Sequence, residues 1–138
     1  MENIIQLLTP KKMTYFIDED STIRQALEKF DAHKFSVVPI INKEGQYVGT
    51  VSEGDILRFI KNEANFDIRI AEKTYIKDIE HYRPYQSIKI DALLLEVFAL
   101  ALEQNFIPVV DDKDVFIGII KRKEVISHLS DQFPSLMK

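Results

Sequence analysis

A chain of 138 residues, 46% apolar and 29% charged, can form one compact domain or two small ones sharing a core, and its composition excludes a disordered segment. It has no cysteine, which excludes disulfides, thiolate zinc sites and a thiol nucleophile and fits a reducing, cytoplasmic compartment. The net charge of −4 is evenly spread, with nine Lys/Arg and eleven Asp/Glu in residues 1–69 and the same in 70–138, which argues against nucleic acid; no apolar run reaches the ~18 residues of a membrane span, and Met1–Ile5 lacks the pattern of a signal peptide.

In chain order, Met13 to Ile17 reads as a short extended stretch. Ile23, Ala26, Leu27 and Phe30 follow at helical spacing, with Ser21 or Thr22 as N-cap. Val37–Ile41 and Tyr47–Val51 are apolar runs around the polar turn Asn42-Lys43-Glu44-Gly45, the pattern of a hairpin. A helix from Glu53 to about Lys61 closes the unit. Residues 62–86 connect onward, with a helix at Ile76–Ile79 and a break at Pro84. The series then begins again. Ser87 to Ile90 is extended, and Leu94, Val97, Phe98 and Ala101 are at helical spacing. Phe106–Val110 and Val115–Ile120 flank Asp111-Asp112-Lys113-Asp114, and a helix runs from Arg122 to about Ser130.

The two series are copies. At an offset of 69, Val37-Val38-Pro39-Ile40-Ile41 falls on Phe106-Ile107-Pro108-Val109-Val110, Tyr47–Val51 falls on Phe116–Ile120, and Asp55 falls on Glu124. The same offset puts Ser21–Leu27 on Ile90–Glu96. The reading is an α+β fold of two β-α-β-β-α repeats, residues 1–69 and 70–138. Neither repeat has enough apolar surface to close a core alone, so the two are expected to cover each other's sheets.

Two helix starts carry the chemistry. Ser52-Glu53-Gly54-Asp55 reads as a capping box, Ser52 capping and Asp55 reaching back. It also reads as a nucleoside site, because a carboxylate can accept both hydroxyls of a ribose diol and free helix N–H groups suit a phosphate. At the matching position of the second repeat stands Lys121-Arg122-Lys123. Three cations there oppose the positive end of the helix dipole, and an anionic ligand would compensate them. The alternative is a solvated basic turn paired with the Asp111–Asp114 turn. Those aspartates lack calcium-loop spacing. His33, His81 and His128 lack metal spacing, and Ser127-His128 point apart on a helix, so no metal site and no catalytic residue is expected.

The repeated apolar run with its proline, together with Gly49-Thr50-Val51-Ser52-Glu53-Gly54-Asp55, resembles a tandem CBS-domain pair, or Bateman module. The resemblance implies two CBS repeats packed through their sheets and an adenine nucleotide held in clefts between them, in a regulatory module and not an enzyme. Pro10–Phe16, Asn105-Phe106, Val115–Lys123 and the Leu129–Lys138 tail resemble more narrowly the small stand-alone CBS-pair proteins of Gram-positive bacteria that bind cyclic di-AMP. In that group the positions matching Lys12, Thr14, Phe35, Arg122 and Lys123 contact the ligand. Here Lys stands at the second basic position and Thr at the small one. The implied ligand set is Lys12, Thr14, Phe35, Val37, Ser52, Asp55, Lys121, Arg122 and Lys123, with no cofactor. The implied function is cyclic di-AMP sensing on behalf of a target protein that the sequence does not identify. The alternatives are an AMP or ATP sensor, or a structural dimer with vestigial pockets. Leftover apolar residues on the closing helices (Leu57, Ile60, Val125, Leu129) predict a homodimer.

Overall fold

A computed structural model describes residues 3–33, 36–79 and 85–133. Its elements run β1 (Leu8–Pro10), β2 (Ile17–Asp18), α1 (Ile23–His33), β3 (Val37–Ile41), β4 (Tyr47–Ser52), α2 (Glu53–Asn62), α3 (Ile68–Lys73), β5 (Ile88–Lys89), α4 (Leu94–Ala101), β6 (Phe106–Val110), β7 (Phe116–Lys121) and α5 (Arg122–Gln132). This is the expected α+β order, twice. Among the described residues no helix is long and apolar enough to cross a membrane.

The chain divides into two compact units, residues 15–84 and residues 1–14 with 85–138. In the first, β3 and β4 form the expected hairpin, and β2 lies parallel to β3, giving the order β2-β3-β4. α1 starts on a reciprocal cap: the Gln25 N–H donates to Thr22 Oγ1 at 3.2 Å, and the Thr22 N–H donates to Gln25 Oε1 at 2.8 Å. Ile23, Ala26 and Phe30 turn inward from α1 onto Val38, Val51 and Ile56. Branched side chains fill the strands, and Ile23, Ala26 and Phe30 cover them from the helix, which is how a three-stranded sheet of this length acquires a core.

In the second unit the hairpin of β6 and β7 is flanked by β5, parallel to β6, and by β1, antiparallel to β7, in the order β1-β7-β6-β5. Leu8 lies opposite Ile120 and Pro10 opposite Gly118. Pro10 cannot donate to a ladder, so it is tolerated here only because β1 is an edge strand. A 3-10 turn, Ile4–Leu7, buries Ile4 and Leu7 in the core that holds Val97, Ile107, Val109 and Ile120.

Several expectations differ from this structure. The first stretch is not a strand over Met13–Ile17. β1 ends at Pro10, a 3-10 turn covers Lys11–Met13, and β2 begins at Ile17. The 69/70 boundary does not match the compact units, because pairing with β7 draws residues 1–14 to the second repeat. Ile76–Asp78 is a single 3-10 turn, and α3 was not foreseen. The offset of 69 holds from β3 onward but not before it. β2 and β5 match at 71, and the buried pair Ala26 and Phe30 of α1 matches the buried pair Val97 and Ala101 of α4 at 71. The span from the last buried position of the helix to the second strand, Phe30 to Val37 and Ala101 to Phe106, is thus two residues shorter in the second repeat.

Candidate functional site

In the first unit, antiparallel pairing of β3 with β4 sets Val37 opposite Ser52, so the start of one strand adjoins the start of α2. Ser52 Oγ accepts the Asp55 N–H at 3.1 Å, and Asp55 Oδ2 accepts the Ser52 N–H at 2.9 Å. The capping box is therefore formed. Asp55 Oδ1 also accepts from the Arg58 guanidinium, one turn on. Asp55 is only 4% exposed, and both its oxygens are engaged. A carboxylate retains further lone pairs after such contacts. Val37, Ser52 and Asp55 are brought together. Phe35 lies outside the described residues.

Lys12 and Thr14 stand with the second repeat, not the first. Both follow β1, which is hydrogen-bonded to β7. Thr14 closes the 3-10 turn, its N–H and Oγ1 donating to the Lys11 carbonyl at 3.0 and 2.8 Å. Lys12 is exposed. Because the strands are antiparallel, Lys12 extends past the Gly118 end of the ladder, and Lys121 lies three residues beyond Gly118 in the other direction. At about 3.3 Å per residue, that ladder alone separates the two basic groups by roughly 10 Å.

α5 begins without the device that starts α2. Lys121 occupies its N-cap and makes no side-chain cap bond. The Arg122 N–H donates to the Asn105 carbonyl at 3.0 Å, and its Nε donates to the Ala101 carbonyl at 2.8 Å, tying the start of α5 to the end of α4. Among the described residues, Nη1 and Nη2 of Arg122, and the ammonium groups of Lys12, Lys121 and Lys123, have no hydrogen-bond or ion-pair partner.

The Asp111–Asp114 turn does not balance this basic start. It sits at the opposite end of the β6–β7 hairpin, since Phe106 pairs with Lys121. Asp111 Oδ1 instead accepts the N–H groups of Lys113 and Val115 at 2.8 and 2.9 Å, and Asp114 pairs with Lys89 at 3.0 Å. The two turn N–H groups hold the Asp111 carboxyl below the usual aspartate range. Sequence reasoning also missed Gln104. Its buried amide donates to the Gln86 and Phe106 carbonyls and accepts the Gln86 N–H, fastening residues 85–87 to the second unit.

The CBS domain profile matches residues 8–62 and 76–131. The structure of CbpB in complex with c-di-AMP is similar at a TM-score of 0.86 and 23% identity, covering 99% of this chain and 89% of that one. That of CBSX2 of Arabidopsis thaliana in complex with AMP is similar at 0.73 and 23%, covering 95% and 98%. MJ1426 of Methanocaldococcus jannaschii is 26% identical over 147 aligned positions, 86% of this chain and 87% of its own. With a match in each half, a duplicated hairpin and a closing helix after each, the chain belongs to the CBS domain family as a tandem pair.

Proposed function

We propose that this CBS pair is a non-catalytic regulatory module that binds cyclic di-AMP and passes the bound state to a partner protein. One observation carries the reading. Four cations of a single unit, Lys12, Lys121, Arg122 and Lys123, lack an acidic partner among the described residues and fall into two groups spaced by the β1–β7 ladder. A cyclic dinucleotide presents two separated phosphates, whereas a mononucleotide concentrates its charge at one end. In the other unit, Val37 offers an apolar wall, and Ser52 and Asp55 offer acceptors for ribose hydroxyls. Phe35 and Thr14 join the ligand set through the family resemblance. The c-di-AMP and AMP bound to CbpB and CBSX2 support an adenine ligand. The module acts as a homodimer through its helical faces.

Calorimetry with cyclic di-AMP, AMP and ATP tests the ligand. Cyclic di-AMP should bind at least tenfold tighter, about 1.4 kcal/mol. Equal or reversed affinities overturn cyclic di-AMP in favour of a general adenylate sensor. A ligand at about 100 times its Kd should also stabilise the fold by about 2.7 kcal/mol. No thermal shift with any nucleotide leaves a structural module.

A further inference from the structure

Thr14 and Val37 belong to the proposed ligand set, and the repeat gives each a counterpart. Thr14 stands three residues before β2, and Val37 opens β3. Three residues before β5 stands Tyr85, and Phe106 opens β6. The match is in register on both strands. Ile17 pairs with Ile40 as Ile88 pairs with Val109, and Val37 pairs with Ser52 as Phe106 pairs with Lys121. It holds at the next residue too. Tyr15 stacks on His33 with ring centroids 4.2 Å apart. Their counterparts at an offset of 71, Gln86 and Gln104, are joined by hydrogen bonds of 2.8 and 3.1 Å. Each repeat thus fastens the segment before its parallel strand to the end of its first helix, by a ring stack in one and by an amide in the other.

The side chain just before that fastening is what differs. Thr14 is small, and its hydroxyl donates to the Lys11 carbonyl at 2.8 Å. Tyr85 carries a ring that lies edge-on to Phe106, with centroids 4.8 Å apart and planes at 62°, the arrangement of a favourable aromatic pair. The Tyr85 hydroxyl oxygen lies 3.5 Å from the Asn105 N–H that points at it. Val37 remains half-buried, whereas Phe106 is 7% exposed. An adenine on an apolar wall needs a flat face or edge to pack on and a backbone group to bond. In the second repeat the chain itself takes up both, on Phe106 and Asn105.

We propose that Tyr85 is a built-in plug that sets how many nucleotides the chain binds. It stands against Phe106 where the first repeat is proposed to seat a base on Val37, so the chain takes one nucleotide and not two. The ring is carried by a segment that Gln104 holds in place, so a nucleotide entering there must first turn the ring out. Its apparent affinity then falls by the fraction of time the ring is out. This inference rests on the proposed ligand set for the place of the base, and it is independent of which adenine nucleotide binds.

Tyr85→Thr puts the residue of the first repeat into the second, and Tyr85→Phe keeps the ring. Calorimetry counts cyclic di-AMP and AMP bound per chain in the parent and both variants, with hydrogen exchange at Ile107 and Ile120 confirming that each is folded. The parent and Tyr85→Phe should bind one nucleotide per chain. Tyr85→Thr should bind the same one and, when saturated with it, a further AMP at least tenfold tighter than the saturated parent does. The amides of Asn105 and Phe106 should shift with that second AMP. A folded Tyr85→Thr chain that takes no more nucleotide than the parent overturns the plug, and so does a parent that binds two per chain. The parent gives a check that needs no variant: the nuclear Overhauser contact between the Tyr85 and Phe106 rings should persist at nucleotide saturation, and its loss overturns the plug. A parent that binds AMP but not cyclic di-AMP overturns the ligand in the proposed function, while an additional AMP in Tyr85→Thr alone still upholds the plug.

Discussion

Arg122 holds two positions at once. Its Nε serves the Ala101 carbonyl, a structural bond, while Nη1 and Nη2, which have no partner among the described residues, are the atoms proposed to hold a phosphate. The helix dipole alone argues that removing a cation from the start of α5 leaves the empty fold unchanged or slightly firmer. The Nε bond reverses that sign, because Arg122→Ala strips a partner from a carbonyl at the end of α4. We expect Arg122→Ala to lower the stability of the ligand-free protein by about 0.5–1.5 kcal/mol and to weaken cyclic di-AMP binding by about 1.5–3 kcal/mol. Calorimetry at a temperature where the variant is fully folded separates the two effects. Arg122→Lys should recover part of the affinity through its charge, but not the two-pronged contact of a guanidinium. Unchanged affinity in the folded Ala variant would make Arg122 a tie between helices and nothing more. Asp55 shows the same economy: the side chain proposed to meet a ribose is also the one that closes the capping box of α2.

At the level of elements, the two hairpins solve one problem with different chemistry. The Asn42 side-chain oxygen accepts the N–H groups of Glu44 and Gln46 at 3.0 and 2.9 Å, just as Asp111 accepts those of Lys113 and Val115. The left-handed position of each turn is filled by Gly45 in one and by Asp114 in the other, a residue that tolerates it better than most. Of these two accepting side chains, Asn42 and Asp111, the one that titrates is Asp111. The Asp111 carboxyl is depressed first by the Val115 N–H and then by the Lys113 N–H. Its contribution to stability is therefore complete above the ordinary aspartate value and is lost as pH falls through the lower folded value. Asp111→Asn, which can keep both bonds as Asn42 does, should show a smaller drop in melting temperature than the parent between about pH 5 and about pH 2. An equal drop in both would mean that the turn is indifferent to the charge. These hairpins, and α1, α2, α4 and α5, were legible because each repeats an apolar run long enough to show its period. α3 was not: it is six residues long, and its fit depends on Arg24 reaching Glu72, 48 residues away. The ungapped offset failed for a similar reason, since two positions lost between the last buried helix residue and the following strand leave the apolar pattern on either side intact. The capping box was legible from four adjacent residues, whereas the tie between Arg122 and Ala101 depends on tertiary placement.

For the whole molecule, sequence halves and folded units are different divisions. β1 was the least legible element, a three-residue strand ending in proline whose strand partner, β7, lies over 100 residues on. Yet it carries Lys12 and Thr14 into the unit that holds Arg122. Gly118 is what admits it. A side chain there would run into the Thr9 carbonyl oxygen, on a backbone angle of φ +157° that side chains rarely adopt. Its counterpart Gly49 has a similar angle, and a methyl group there would meet nothing within 4 Å. The two glycines occupy equivalent positions in the repeat, each paired with its hairpin partner, but among the described residues only Gly118 has a second strand, β1, on its other side. Gly118→Ala should therefore release β1 and the anchors Ile4 and Leu7, at a cost of about 2–4 kcal/mol for the lost burial and ladder bonds. Gly49→Ala should cost only its backbone strain, about 1–2 kcal/mol. Hydrogen exchange locates the damage. In Gly118→Ala, the amides of Leu8, Thr9 and the outer edge of β7 should lose protection, while those of β3, β4 and α2 keep theirs. Cyclic di-AMP affinity should fall with them, because Lys12 would no longer be held to the sheet that ends in Lys121. Uniform loss of protection across both units would mean that the chain unfolds as a single cooperative block. Retained protection at Leu8 and Thr9 would mean that the sheet accommodates a methyl group at Gly118.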